Sequence, residues 1–134
     1  MPKRRELIAG LAKIVGDENV LFRPEDLLVY EFDGTVERQT PYAVAFPADA
    51  EETAALIRFC NRMGMPLTPR GAGTGLSGGS VPTRRGVVIA TARMRSILEI
   101  DAVNRIAVVE PGLPNLQLSE AVAVHGLFYA PDPS

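Results

Sequence analysis

At 134 residues, with 46% apolar and 22% charged side chains, the chain has the make-up of one globular unit with a core. Its formal net charge of −2 and the lack of any lysine- or arginine-rich tract exclude the electrostatic footprint of a nucleic-acid or membrane-surface binder. No apolar run approaches the ~20 residues that span a bilayer. The basic start at Met1 to Arg5 leads into a stretch broken by Gly10 and Lys13, not into a signal-peptide core, so a cytoplasmic location is expected.

Residues 3–15 place Leu7, Ile8, Leu11, Ile14 and Val15 on one helical stripe, and Gly16 is a natural stop. Pro24, Glu25 and Asp26 open a short second helix through Leu27, Leu28 and Tyr30 that ends near an Asp33-Gly34 turn. Asp33 could be read as a catalytic carboxylate, but Asp-Gly is a common turn dipeptide and the turn reading is preferred. Residues 42–46 are a short run of strand formers ended by Pro47. Asp49 and Glu52 then resemble a capping box for a helix over 50–63, which Gly64 ends. Residues 65–68 lead into a second strand. Strand, helix and strand predict a βαβ unit whose two strands pair in parallel through a right-handed crossover.

Residues 86–90 are a further buried strand, 93–100 fits either a turn of helix or a strand, and 106–110 is a strand closed by Pro111-Gly112. Pro114 at the first helical position and Gly126 beyond the far end bracket a last helix over 114–125. Leu116, Leu118, Ala121, Val122 and Val124 are its apolar positions. Together the elements predict an α+β fold in mixed order, without internal repeats.

Few side chains invite a catalytic reading. Cys60 is the only cysteine, which excludes an intrachain disulfide, and its helical spacing with Leu56, Ile57, Phe59 and Met63 suits a core thiol. His125 is the only histidine, so there is no His/Cys metal cluster; in the last turn of a helix it interacts with the dipole and needs no catalytic role. Arg84, Arg85, Arg93 and Arg95 read as solvated turn and helix-end charges, and Asp132 between two prolines reads as a turn residue.

Chemistry concentrates in the run Pro69-Arg70-Gly71-Ala72-Gly73-Thr74-Gly75-Leu76-Ser77-Gly78-Gly79-Ser80-Val81-Pro82, where five of the twelve glycines fall within residues 69–79. Bare backbone lets a ligand approach several N–H groups at once, and successive N–H groups around one concavity form a site for phosphate or pyrophosphate. Thr74, Ser77 and Ser80 add hydroxyls, and Arg70 adds a permanent positive charge. A flexible surface loop is the alternative, disfavoured because the run directly follows a predicted strand. Gly73 to Gly78 matches G-x-G-x-x-G, yet the continuation Gly79-Ser80-Val81-Pro82 cannot open the helix that a dinucleotide fingerprint of the Rossmann kind requires. No Gly-Lys-Ser/Thr follows, which removes the Walker loop. What remains is a glycine nest between strands.

The run from Pro69 to Gly79 resembles the pyrophosphate loop of the vanillyl-alcohol-oxidase or PCMH type of FAD-binding domain. Residues 41–47, 86–95, 109–112 and 129–134 agree with that family in order. Tyr30-Glu31-Phe32-Asp33-Gly34 and residues 70–82 are most similar to the FAD-binding D subunits of bacterial glycolate oxidases, close to the D-lactate dehydrogenases.

The resemblance implies a PCMH-type α+β domain with a small parallel βαβ subdomain and the start of a mixed or antiparallel sheet subdomain. Residues 1–37 would be an N-terminal helical extension and 38–134 the FAD-binding domain, incomplete on its C-terminal side. It implies pyrophosphate contacts from the backbone of Gly71, Ala72, Gly73, Thr74 and Gly75, with Pro69, Arg70, Ser77, Gly78 and Gly79 lining the path. Pro111 and Gly112 would lie near the dinucleotide, and Pro131, Asp132, Pro133 and Ser134 would enter the flavin-contacting stretch. Some relatives carry histidine at the position of Thr74 and bind FAD covalently; threonine cannot form that bond, so non-covalent FAD is implied.

The same resemblance implies oxidation of glycolate or D-lactate to the 2-oxo acid, by a longer protein of which this chain is a fragment inactive on its own, with catalytic residues beyond Ser134. Implied partners are a second flavin-binding-type subunit and an iron–sulfur subunit, at the inner face of the membrane. Two other readings stay open: a stand-alone nucleotide-binding module, and a relative using the same domain reductively, as the enolpyruvyl-glucosamine reductases do. Residues 33–34 and 129–134 speak against the second.

Overall fold

The computed structural model describes residues 4–130, in two compact units, Met1–Arg93 and Met94–Ser134. The first unit begins with helix α1 (Arg4–Val15), whose stripe buries Leu7, Leu11 and Val15. Gly16, at φ +90°, ends it and hands over to a 3-10 turn at Asp17–Asn19 and the two-residue strand β1 (Val20–Leu21), both unpredicted. Helix α2 (Pro24–Leu27) starts on its proline as expected and tightens into a 3-10 turn at Leu28–Tyr30. Strand β2 (Ala43–Ala45), helix α3 (Ala50–Met63), strand β3 (Leu67–Arg70) and strand β4 (Val87–Ala90) complete the unit.

The capping prediction for α3 holds with one change. Asp49 Oδ1 accepts from the Glu52 N–H at 2.8 Å, while Glu52 Oε2 accepts from the Ala48 N–H at 2.7 Å, one residue ahead of the expected amide. Gly64 closes the helix in the left-handed region at φ +64°.

The sheet order is β1-β2-β4-β3, with β1 antiparallel to β2 and both β2 and β3 parallel to β4. Here the direct β2–β3 pairing expected from the βαβ pattern is corrected, because β4 inserts between them. Composition explains the order. All four residues of β4 are buried, as a centre strand covered on both faces requires. Strand β3 contains Pro69, which lacks an N–H for a second neighbour and belongs at an edge.

Alternation then assigns the faces. Ala43, Ala45, Val87 and Ile89 pack with Leu7, Leu11, Val15, Val20, Leu56 and Cys60, so α1 and α3 cover one face. Val44, Val88 and Ala90 pack with Leu27 on the other. Cys60 is fully buried, as its spacing predicts, and burial pushes its thiol up to about 11.

In the second unit, the ambiguous stretch near residue 97 is strand β5 (Ile97–Asp101), antiparallel to β6 (Ile106–Val109). Asp101 shapes their turn by accepting from the Asn104 N–H at 3.0 Å. Helix α4 (Asn115–Val122) is followed by a 3-10 turn at Ala123–His125. Pro114 is its N-cap and not its first helical residue, with ψ at 139°. Leu118 and Val122 are buried; Leu116 and Val124 are exposed, so the apolar face is narrower than their periodicity suggests.

Leu56 has no exposed surface and belongs to the larger core cluster. Leu56→Ala should cost about 2–5 kcal/mol, seen as a lower urea midpoint with an unchanged slope.

Candidate functional site

The glycine run leaves the carboxyl end of β3 and returns at β4. Its exit is tied to its entrance: the Thr83 N–H donates to Thr68 Oγ1 at 3.2 Å, and within it the Val81 N–H reaches the Gly78 carbonyl at 3.2 Å. The stretch between is open. Gly71, Ala72, Thr74, Gly75, Leu76 and Ser77 are exposed, and Gly73, Gly78 and Ser80 half-buried. Among the described residues, the N–H groups of Gly71, Ala72, Gly73, Thr74 and Gly75 have no acceptor. Five successive donors without partners are what a polyanion needs from a backbone nest.

The glycines divide into two kinds. Gly73 has φ +76°, and a Cβ there would stand 2.1 Å from Arg70 Nη2, so the fold itself demands glycine. At Gly71, Gly75 and Gly79 a Cβ would meet nothing within 4 Å and φ is ordinary. Packing within the chain leaves room for a side chain at those positions.

Arg70 is 7% exposed, and its guanidinium lies directly against Gly73, behind the loop. Nη1 donates to the Phe32 carbonyl at 2.7 Å and the Ser80 carbonyl at 3.4 Å; Nη2 donates to the Val29 carbonyl at 3.2 Å. It also lies over the Tyr30 ring, 5.4 Å from the centroid. Burial raises the Tyr30 hydroxyl above its usual value, and the Arg70 charge works against that rise. Among the described residues no carboxylate is within ion-pairing distance of Arg70. A buried cation held by carbonyl dipoles and an aromatic face, with no carboxylate to neutralise it, favours a nearby anion.

Segment 29–35 contacts the loop and was not assigned to the site from sequence. The Gly34 N–H donates to the Gly75 carbonyl at 2.9 Å, and a Cβ on Gly34 would stand 2.9 Å from that oxygen and 2.7 Å from Leu76 Cδ2. Asp33, 5% exposed, accepts at Oδ1 from the Thr35 hydroxyl at 2.7 Å and the Thr35 N–H at 2.9 Å. These donors, hydroxyl first, hold its carboxyl below the ordinary aspartate range, with a smaller contribution from the Ser80 amide. Asp33 is thus the turn residue its dipeptide predicts. The sequence signal for this contact is the run Tyr30 to Gly34, whose resemblance to the family carries no contact role.

Of the other predicted contacts, Pro69 is an exposed residue of β3, beside Arg70. Pro111 and Gly112 form the turn after β6 in the second unit, where the Gly112 N–H donates to the Met94 carbonyl at 2.8 Å. Pro131, Asp132, Pro133 and Ser134 lie outside the described residues. His125 is exposed beyond α4, and Arg93 donates to the Phe46 carbonyl at 2.7 Å. Among the described residues no cluster of His, Cys, Asp or Glu could hold a metal, and no helix is long and apolar enough to cross a membrane.

A family model described as FAD binding domain matches residues 41–134. The chain is 42% identical over 132 residues to glycolate oxidase subunit GlcD of Escherichia coli (strain K12), which covers 98% of this chain and 26% of that protein. It is 41% identical over 131 residues to a D-lactate dehydrogenase of Archaeoglobus fulgidus, covering 94% of this chain and 28% of the relative. Among solved structures, p-cresol methylhydroxylase with substrate bound superposes with a TM-score of 0.80 at 25% identity, over 92% of this chain and 25% of that one. The chain therefore spans about a quarter of the length of the curated relatives it matches.

The two kinds of glycine should behave differently without any ligand. Gly73→Ala, forced into the left-handed region against Arg70, should lose about 1–2 kcal/mol or more of stability, whereas Gly75→Ala should stay within about 0.5 kcal/mol of wild type. Urea unfolding of both variants measures the difference.

Proposed function

Because the chain belongs to the FAD binding domain family, we propose that it is the pyrophosphate-binding part of a flavin-dependent 2-hydroxy-acid oxidoreductase acting on glycolate or D-lactate. One observation carries the assignment of the loop: among the described residues the five successive amides of Gly71 to Gly75 have no acceptor, and the buried Arg70 guanidinium packs against Gly73 in their midst. These residues fit a dinucleotide pyrophosphate. The open positions at Gly71, Gly75 and Gly79 leave room for it, and the Thr74 and Ser77 hydroxyls are exposed for further bonds. Pro111, Gly112 and residues 131–134 are proposed as further FAD contacts, on the resemblance alone.

FAD, when bound, would supply the two-electron oxidation of a hydroxy acid to the 2-oxo acid. This chain's own part is binding and orientation; catalytic residues are assigned to the portion of the relatives that it does not span. Thr74 leaves the flavin non-covalent. We take residues 38–134 as the FAD-binding domain and 1–37 as an extension whose α1 shares the core of the sheet. The likeness to a protein named as a glycolate oxidase subunit supports subunit partners; a second flavin-binding-type subunit, an iron–sulfur subunit and a cytoplasmic location at the inner face of the membrane are proposed on the family resemblance alone.

Titration of FAD with the chain, followed by flavin fluorescence quenching, tests the loop. Wild type should quench, and Gly75→Val should abolish quenching while keeping the wild-type urea midpoint. Equal quenching by both would overturn the assignment. Acid precipitation of the FAD-loaded chain should leave the yellow colour in the supernatant; a yellow pellet would refute the non-covalent reading.

A further inference from the structure

The family match begins at residue 41, yet segment 29–34 together with Arg70 ties the glycine loop at its start, middle and end. At the start, Arg70 reaches the Phe32 and Val29 carbonyls at 2.7 and 3.2 Å. In the middle, the Gly34 N–H holds the Gly75 carbonyl at 2.9 Å, and only glycine at 34 permits that approach. At the far end, the same Arg70 Nη1 spans to the Ser80 carbonyl at 3.4 Å, linking the loop's exit to its entrance. The segment is itself anchored. The Glu31 carbonyl accepts from the Gln39 N–H at 2.9 Å, Glu31 Oε1 accepts from the Thr40 hydroxyl at 2.8 Å, and Leu27 is buried under the sheet just before it.

We propose that residues 29–34 and Arg70 form a clamp that presets the glycine loop for a dinucleotide pyrophosphate, with Arg70 and Gly34 as positioning residues acting through loop geometry. This rests on the flavin reading above. The physical reason is the conformational freedom of glycine: an unanchored glycine-rich loop is spread over many backbone states, few of which aim successive amides at one point. Apparent affinity falls with the competent fraction, so a clamp whose loss leaves about a tenth of the loop competent raises Kd about tenfold.

Arg70→Lys and Gly34→Ala separate the alternatives. Lysine keeps the charge but cannot bridge three carbonyls from one planar group, so simple charge attraction predicts little change for it. Alanine at 34 leaves Arg70 intact and pushes the loop off through its Cβ. Hydrogen exchange of the FAD-free chain should speed up at the amides of residues 34 and 81, which donate to the Gly75 and Gly78 carbonyls, in both variants, with α1 and α3 unaltered, and the FAD Kd should rise about tenfold or more in both. Unchanged exchange at residues 34 and 81, acceleration spread through α1 and α3, or an unaltered Kd would each overturn the clamp. Failure of the wild-type chain to bind FAD would sink the flavin reading instead, and the exchange measurement would still decide whether the clamp exists.

Discussion

The buried guanidinium of Arg70 is the constraint on which the site depends. Its bonds run to carbonyls of three residues, two of them in the segment after α2 and one at the far side of the glycine loop. Hydrogen bonds from a charged donor contribute about 1.5–3 kcal/mol each, and among the described residues no carboxylate offers a competing ion pair. The consequences spread outward. Gly73 must be glycine because the guanidinium occupies the space of a side chain, and Tyr30 lies under the cation. Among the described residues the amides of Gly71 to Gly75 have no acceptor, and that positive charge lies against the middle of their run.

Sheet order puts that arginine where it can act. Ligand sites in parallel sheets form beyond the carboxyl ends of the strands, and Arg70 is the last residue of β3. Pro69 keeps β3 at the edge, while fully buried β4 takes the centre and carries the chain back from the loop. On one face α1 and α3 share a single apolar cluster with the strands, so the N-terminal helix is part of the core and no appendage. On the other, Leu27 ties α2 to Val44 and Val88, which leaves residues 29–34 in reach of the loop.

Much of this was legible without coordinates. Gly16 and Gly64 end their helices, Pro24 starts α2, Asp49 caps α3, and the Asp33-Gly34 turn forms, each through groups only a few residues apart. The glycine loop was equally plain, since its composition and the absence of a following helix are local facts. Less legible were β1, two residues long, and the exposed Leu116 and Val124 of α4, where periodicity promised a wider buried face. Short elements carry too few positions for a period to show.

By itself the sequence determined where the loop lies, where α1 and α3 begin and end, and where α2 begins. Those features arise from caps, turn residues and spacing, whose partners are near neighbours along the chain. Only the tertiary structure decided that β4 separates β2 from β3, and that Arg70 supports the loop from behind. It alone brought Gly34 against Gly75. Arg70 finds the Phe32 and Val29 carbonyls at separations of 38 and 41 residues. No local pattern encodes contacts of that range; they exist because the sheet and its two covering layers bring the segments together.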